Sequence, residues 1–378
     1  MLEEFFWFLI FLILYCYIGY PLILLILGFF FGKKVEKREI FPSISLLIPV
    51  YNEEKIIKEK IENSLNLDYP KEKLEIVVAS ESTDKTNEIV KEYKEKGIKL
   101  FVFPQRKGKQ YTIYRTLPKC KGKIIVLTDA NAMFKKDALR KLVRNFADPK
   151  IGCVSGRLKY LNPKKSLAGE AEGIYWKYEF FLKKLESKIS SLLGANGSIY
   201  ALKKELYSPL SKYRGDDFDL PIRVAQQGYG VIFEPEAISE EEVYPDFLAN
   251  FKKKIVIVGW HFKGALILLL KSIKKFQIRL AFQIISHKIL RWLIGFFLIL
   301  IFLSNLFLIG KSSYLILFIG QILFYSLALF GFLLDRKGKR LNKLINLIYY
   351  FCGVNLAAVI GIINGILGKQ KPTWEKVR

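Results

Sequence analysis

The chain has 378 residues, 51% of them hydrophobic, and carries 60 Lys and Arg against 35 Asp and Glu. That length admits one sizeable soluble domain plus several membrane spans. A uniformly soluble domain rarely combines these values, and no basic stripe interleaved with aromatics sits on a nucleic-acid module, so the net charge of +25 points to anionic lipid and a phosphorylated substrate rather than to nucleic acid.

In chain order, residues 5–31 form an uncharged block of 27 residues, longer than the roughly 20 that cross a hydrocarbon core. A signal peptide would have a shorter apolar region followed by a small-residue cleavage site. Gly32-Lys33-Lys34 follows instead, so residues 1–32 are expected to form a transmembrane helix. Glu3 and Glu4 precede it, and Lys33, Lys34, Lys37 and Arg38 follow it. By the positive-inside rule the next domain is cytoplasmic.

From 43 to 150 strand-like and helix-like runs alternate. Strands are expected at 45–50, 74–79, 98–103 and 123–128, with helices at 53–66 and 84–96. This alternation predicts an α/β domain with a parallel sheet covered on both faces, over 43–245. Ligands of such sheets bind at the carboxyl ends of the strands. Tyr51-Asn52-Glu53, Ser80 to Thr86 and Asp129-Ala130-Asn131 fall there.

No acid occurs from 247 to 334, while Lys252, Lys253, Lys254, Lys263, Lys271, Lys274, Lys275 and Arg279 punctuate apolar stretches. The spacing predicts basic amphipathic helices on an anionic membrane surface over 246–290, against the alternative of helices packed on the domain. Three uncharged blocks follow, 292–310, 312–334 and 344–368, and assign 291–368 to membrane helices. The basic loop 335–343 belongs inside. Three full spans would put the basic tail 369–378 outside, against the same rule. The last block holds Gly353, Gly361, Gly365 and three asparagines. It is therefore expected to be broken or re-entrant, returning Trp374 and Arg378 to the cytoplasmic side. A third full span is the alternative.

Four cysteines show no metal spacing and read as inert thiols. The two histidines, His261 and His287, lie in no ligand pattern. Asp129 follows an apolar strand, where a carboxylate can hold Mg²⁺ or Mn²⁺ against a diphosphate leaving group, with Asn131 as a weaker contact. A helix N-cap is the alternative. Asp216, Asp217 and Asp219 cluster; one could accept a proton from an acceptor hydroxyl, or all could form a solvated turn. The basic turn around Gly108 and Lys109 could meet a phosphate, although it lacks the P-loop spacing.

Taken in order, these pieces resemble the family-2 glycosyltransferases with a GT-A fold. The matching stretches are Ile48 to Glu54, Ser82-Thr83-Asp84-Lys85-Thr86, Arg106-Lys107-Gly108-Lys109, Thr128-Asp129-Ala130-Asn131, Gly194 to Ala201, Asp216 to Leu220, and Arg223 to Tyr229. The resemblance implies a donor site of Pro49, Val50, Tyr51, Asn52, Glu53, Glu81, Asp84, Lys109, Asp129, Ala130 and Asn131. It implies a metal on Asp129 and Asn131, an acceptor loop of Gly194, Ala195, Asn196 and Gly197, and Asp217 as general base, with Asp216 and Asp219 as the competing assignments. The implied donor is a nucleoside-diphosphate sugar, UDP ahead of GDP. The acceptor is a saccharide or lipid-linked molecule, a polyprenyl phosphate among them, and transfer inverts the anomeric centre. A membrane protein binding nucleotides without chemistry is the rival reading. Three departures stand out. Ser80-Glu81 replaces the base-reading Asp-Gly, leaving Glu81 as a substitute. The processive QxxRW motif is absent. The tail only loosely resembles the Trp/Thr segment of some membrane synthases.

Overall fold

The computed structural model describes residues 1–161, 167–189, 192–209, 215–242, 247–339 and 341–369, without the side chains of 167–172 and 174. The chain forms two compact units. One comprises Met1–Ile26, Asn162–Leu182 and Val243–Gln370, the other Leu27–Leu161, Lys183–Glu242 and Lys371–Arg378.

The second unit is built on an eight-stranded sheet: β1 (Ile44–Val50), β2 (Leu74–Ser80), β3 (Lys99–Val102), β4 (Ile124–Leu127), β5 (Met133–Phe134), β6 (Ile151–Leu161), β7 (Tyr200–Lys203) and β8 (Gly230–Glu242). Their order is β3-β2-β1-β4-β7-β6-β8-β5. The four early strands pair in parallel, as the alternation predicts. The later ones make the sheet mixed, with β7 antiparallel to β4 and β6, and β5 antiparallel to β8. β4, and β1 apart from Ser45, are apolar because both faces are covered, and Leu46, Leu47, Val126 and Leu127 are buried. Register sets Val50 beside Ser80, Leu47 beside Leu127, and Leu127 beside Tyr200. The loops after β1, β2 and β4 and the loop before β7 thus open at one end of the sheet.

The helices of the chain are α1 (Leu2–Leu14), α2 (Tyr20–Phe31), α3 (Ile57–Leu65), α4 (Thr86–Lys91), α5 (Lys109–Thr116), α6 (Ala138–Val143), α7 (Leu167–Lys188), α8 (Asp216–Gln226), α9 (Phe247–Lys274), α10 (Ile278–Gln283), α11 (Leu290–Leu306), α12 (Ser312–Arg336) and α13 (Lys343–Ile366). α3 starts later than the pattern predicts. Asn52 adopts a left-handed φ of 53°, and the Glu53 carbonyl accepts the amides of Ile56 and Ile57 in a turn. α4 is likewise shorter than 84–96, which ends in a separate 3₁₀ turn at Lys94–Lys96 capped by Gly97 at φ 84°.

Among the described residues five helical runs are long and apolar enough to cross a membrane: Leu2–Phe31, Phe247–Lys274, Ile278–Leu306, Ser312–Arg336 and Lys343–Ile366. Within the first unit α1 packs on α11 through Phe6, Leu9 and Ile301, with Trp7 Nε1 donating to the Tyr314 hydroxyl at 3.1 Å. Two expectations change here. The boundary at 290/291 falls inside the run Ile278–Leu306, so the expected division between 246–290 and 291–368 does not coincide with a helix end. The block 344–368 is not broken either, since α13 is one continuous helix. Its glycines serve packing: a Cβ on Gly361 would stand 2.6 Å from the Ile255 carbonyl oxygen, and one on Gly365 2.6 Å from that of Gly259. Small residues of this kind let helix backbones approach in an apolar medium. The tail from 370 onward, with Trp374 and Arg378, lies outside the described residues. His287 is buried with Glu179 and Arg291, its Nε2 3.7 Å from Glu179 Oε2.

Candidate active site

The turns after β1 and β2 are held by short side chains. Asn52 Oδ1 accepts from the Thr83 amide at 2.8 Å, and the Asn52 amide donates to Ser82 Oγ at 2.9 Å. The Glu53 amide donates to Thr86 Oγ1 at 2.8 Å, and Asp84 Oδ1 accepts the Thr86 amide at 3.0 Å. Pro49 and Val50 form the strand end beneath, where the Val50 carbonyl accepts the Glu81 amide at 3.1 Å. The Arg106 guanidinium lies 3.8 Å from the centre of the Tyr51 ring.

Glu81 is 4% exposed. Its Oε2 accepts the amides of Lys107 and Gly108 at 2.9 and 2.8 Å, which fixes the basic turn. Gly108 has φ 98°, a region that favours glycine, and Lys109 begins α5 immediately after it. Lys109 Nζ then reaches 2.7 Å from Asp129 Oδ1 and 3.6 Å from Asp216 Oδ1. Burial pulls the Lys109 ammonium down, but Asp129, Asp216 and Asp217 more than offset this and hold it above its usual range.

The two adjacent acids at the start of α8 differ in setting. Asp216 is buried; its Oδ2 accepts from the Tyr200 hydroxyl at 2.7 Å and its Oδ1 from Gln110 Nε2 at 3.2 Å. Asp217 is half-buried. Its carbonyl accepts the Ala195 amide at 2.7 Å, joining α8 to the glycine loop. A Cβ on Gly197 would stand 3.1 Å from Asp217 Oδ2, so glycine leaves that carboxylate uncovered. Burial raises both carboxyls above the usual aspartate range, with Lys109 opposing. In the same loop Gly194 has φ 116°. Asn196 Oδ1 accepts from the Ser198 hydroxyl at 3.0 Å, while its buried Nδ2 has no partner among the described residues.

Among the described residues no group of three or more Asp, Glu, His or Cys side chains is placed to hold a metal ion, so a cage built from protein alone does not fit. Magnesium-type ions instead take one or two carboxylates and complete their shell with substrate phosphates and water. The Asp129 carboxylate, about one-third exposed at a strand end with Asn131 two residues on, fits that donor set. Sequence reasoning missed Tyr200, Gln110 and the buried Lys60. Only Lys60 left a signal, a charge at helical spacing with the apolar Ile57 and Ile61.

Residues 45–208 match the model of glycosyl transferase family 2. The chain carries a family-2 glycosyltransferase domain with the GT-A fold. Over 230 residues it is 31% identical to the probable glycosyltransferase YdaM of Bacillus subtilis, covering 55% of this chain and 52% of that one. It is 26% identical over 217 residues to a dolichyl N-acetyl-alpha-D-glucosaminyl phosphate 3-beta-D-2,3-diacetamido-2,3-dideoxy-beta-D-glucuronosyltransferase of Methanococcus voltae, covering 52% of this chain and 65% of that one. The chain thus spans roughly half to two-thirds of these relatives. Its fold also matches a solved mannosyltransferase of Pyrobaculum calidifontis in complex with GDP-Man and Mn²⁺, with a TM-score of 0.73 and 21% identity over 98% of this chain and 100% of that one.

Proposed function

We propose that the protein transfers a sugar, with inversion, from a nucleoside-diphosphate sugar to a saccharide or lipid-linked acceptor at a membrane. The observation that carries this reading is Lys109 bridging Asp129 and Asp216 beside an uncovered Asp217. Asp217 accepts the proton of the acceptor hydroxyl; that oxygen bonds to the anomeric carbon as the bond to the diphosphate breaks, and the nucleoside diphosphate leaves. Asp129 with Asn131 would hold Mg²⁺ or Mn²⁺, which when bound supplies neutralisation of the diphosphate. Lys109 adds a fixed positive charge on the same side. Asp216, tied to Tyr200 and Gln110, orients the start of α8. The turns of Asn52, Glu53 and Asp84 with Tyr51 line the nucleotide, and Gly194 to Gly197 meet the acceptor.

The acceptor that the M. voltae relative's name describes is a lipid-linked sugar phosphate. The lysines of α9 favour an anionic lipid acceptor as a second reading. The experiment is a panel of labelled UDP- and GDP-sugars given to the purified protein with Mn²⁺, with and without saccharide or polyprenyl-phosphate acceptors. Metal-dependent sugar transfer is expected, abolished by excess chelator. Nucleotide binding with no turnover of any donor would favour a non-catalytic nucleotide-binding protein, and full turnover in chelator would remove the metal.

For topology we read the amino terminus outside and the family-2 domain inside. Glu3 pairs with Lys311 and accepts from the Tyr314 hydroxyl at 3.2 Å, while Tyr15 meets Ser286 at 2.7 Å. These contacts support α11 returning antiparallel to the first span, so that residue 278 starts on the domain side. α9 leaves the domain and ends at Lys274, close in sequence to that point. Both of its ends then share one side, which favours α9 lying along an anionic membrane surface despite its length.

A further inference from the structure

Beneath the loop that carries Asp129 sits a lysine that solvent does not reach. Lys60 lies on the buried face of α3 and is fully buried. Its Nζ donates to Thr128 Oγ1 at 3.0 Å and to the Ala132 carbonyl, and stands 4.4 Å from the centre of the Phe134 ring. Thr128 and Ala132 bracket Asp129, Ala130 and Asn131. The Thr128 hydroxyl donates onward to the Ser198 carbonyl at 2.8 Å. One ammonium group therefore ties together both ends of the Asp129 loop and the end of the glycine loop.

Burying a cation against neutral oxygens is costly, and an apolar side chain of similar length would fill the same space without that cost. Burial lowers the Lys60 pKa to about 7, with Asp129 and Glu241 pulling the other way. An amine that loses its proton still donates two hydrogen bonds, so the two oxygens remain bridged in either state. The placement makes sense if it fixes geometry above it.

We propose that Lys60 is a positioning residue that clamps the 128–132 loop at both ends, and through Thr128 the loop before β7, so that Asp129 meets the donor-bound cation already oriented. This rests on the donor-site reading above. Groups that orient a metal-binding side chain typically change metal affinity by about 10- to 100-fold when removed.

The test uses the purified full chain and calorimetric binding of UDP and of GDP in the presence of Mn²⁺, alongside thermal melting. Lys60→Met is expected to remain folded and to weaken Mn²⁺-dependent nucleotide binding by about tenfold or more. Thr128→Val should do the same and Thr128→Ser should stay near wild type. A merely structural lysine would change the melting temperature and leave the affinity of the folded protein unaltered, and that result overturns the proposal. Should Lys60→Met fail to fold, Thr128→Val decides: wild-type affinity there overturns it. If the wild-type chain binds neither nucleotide with Mn²⁺, the donor-site reading itself falls and this proposal with it, a pattern distinct from binding that is equal in wild type and variants.

Discussion

Asp216 and Asp217 are neighbours in sequence with different surroundings. Asp216 is held by a tyrosine hydroxyl and a glutamine amide, whereas Asp217 faces a glycine. Burial raises both carboxyls, so Asp217 ionises later than a free aspartate, whose value is 3.8. A general base works ionised. Transfer should therefore decline as pH falls through this raised pKa, at a pH above that expected for an ordinary aspartate. A pH profile of kcat/KM checks this, and an acid limb at or below the ordinary aspartate value would contradict it. The stability sign is opposite. A folded state that binds these protons more readily than the unfolded chain loses stability as pH rises between 3.8 and the raised value. At this scale the sequence exposed the acids and the glycine loop through their order along the chain. It did not expose Tyr200 or Gln110, because an isolated Tyr or Gln carries no spacing signal. Nor did it show that Glu81 spends one oxygen on the backbone of the 107–108 turn, which depends on how β2 and the turn meet.

The elements of the sheet were legible where apolar runs are short and bounded by turns, as in β1, β2 and β4. The antiparallel strand β7 and the mixed half of the sheet were not, because a strand's partner and direction depend on long-range pairing rather than local pattern. The membrane helices show the same limit. Glycines and asparagines in 344–368 suggested a break, yet the glycines of α13 accept the close approach of α9. Hydropathy alone also cannot separate a spanning α9 from one lying in the interface, since length and composition satisfy both. The turn between α9 and α10 discriminates. Phe276 is 87% exposed there. In a background without native cysteines, Phe276→Cys should resist an impermeant thiol reagent in intact cells and react once the membrane is opened. Labelling from outside would mean that α9 crosses.

At the scale of the whole molecule, a stretch matching the family-2 model is continuous in sequence with helices long and apolar enough to cross a membrane, and the proposed reading has a soluble donor meet a lipid-linked acceptor there. The most direct measurement of its central claim pairs equilibrium donor binding with turnover in Asp217→Asn. The substitution keeps shape and removes the base, so Mn²⁺-dependent nucleotide binding should match wild type while transfer slows by about 10²-fold or more. Asp217→Asn that transfers sugar at the wild-type rate, or that loses donor binding and transfer together, would contradict the account.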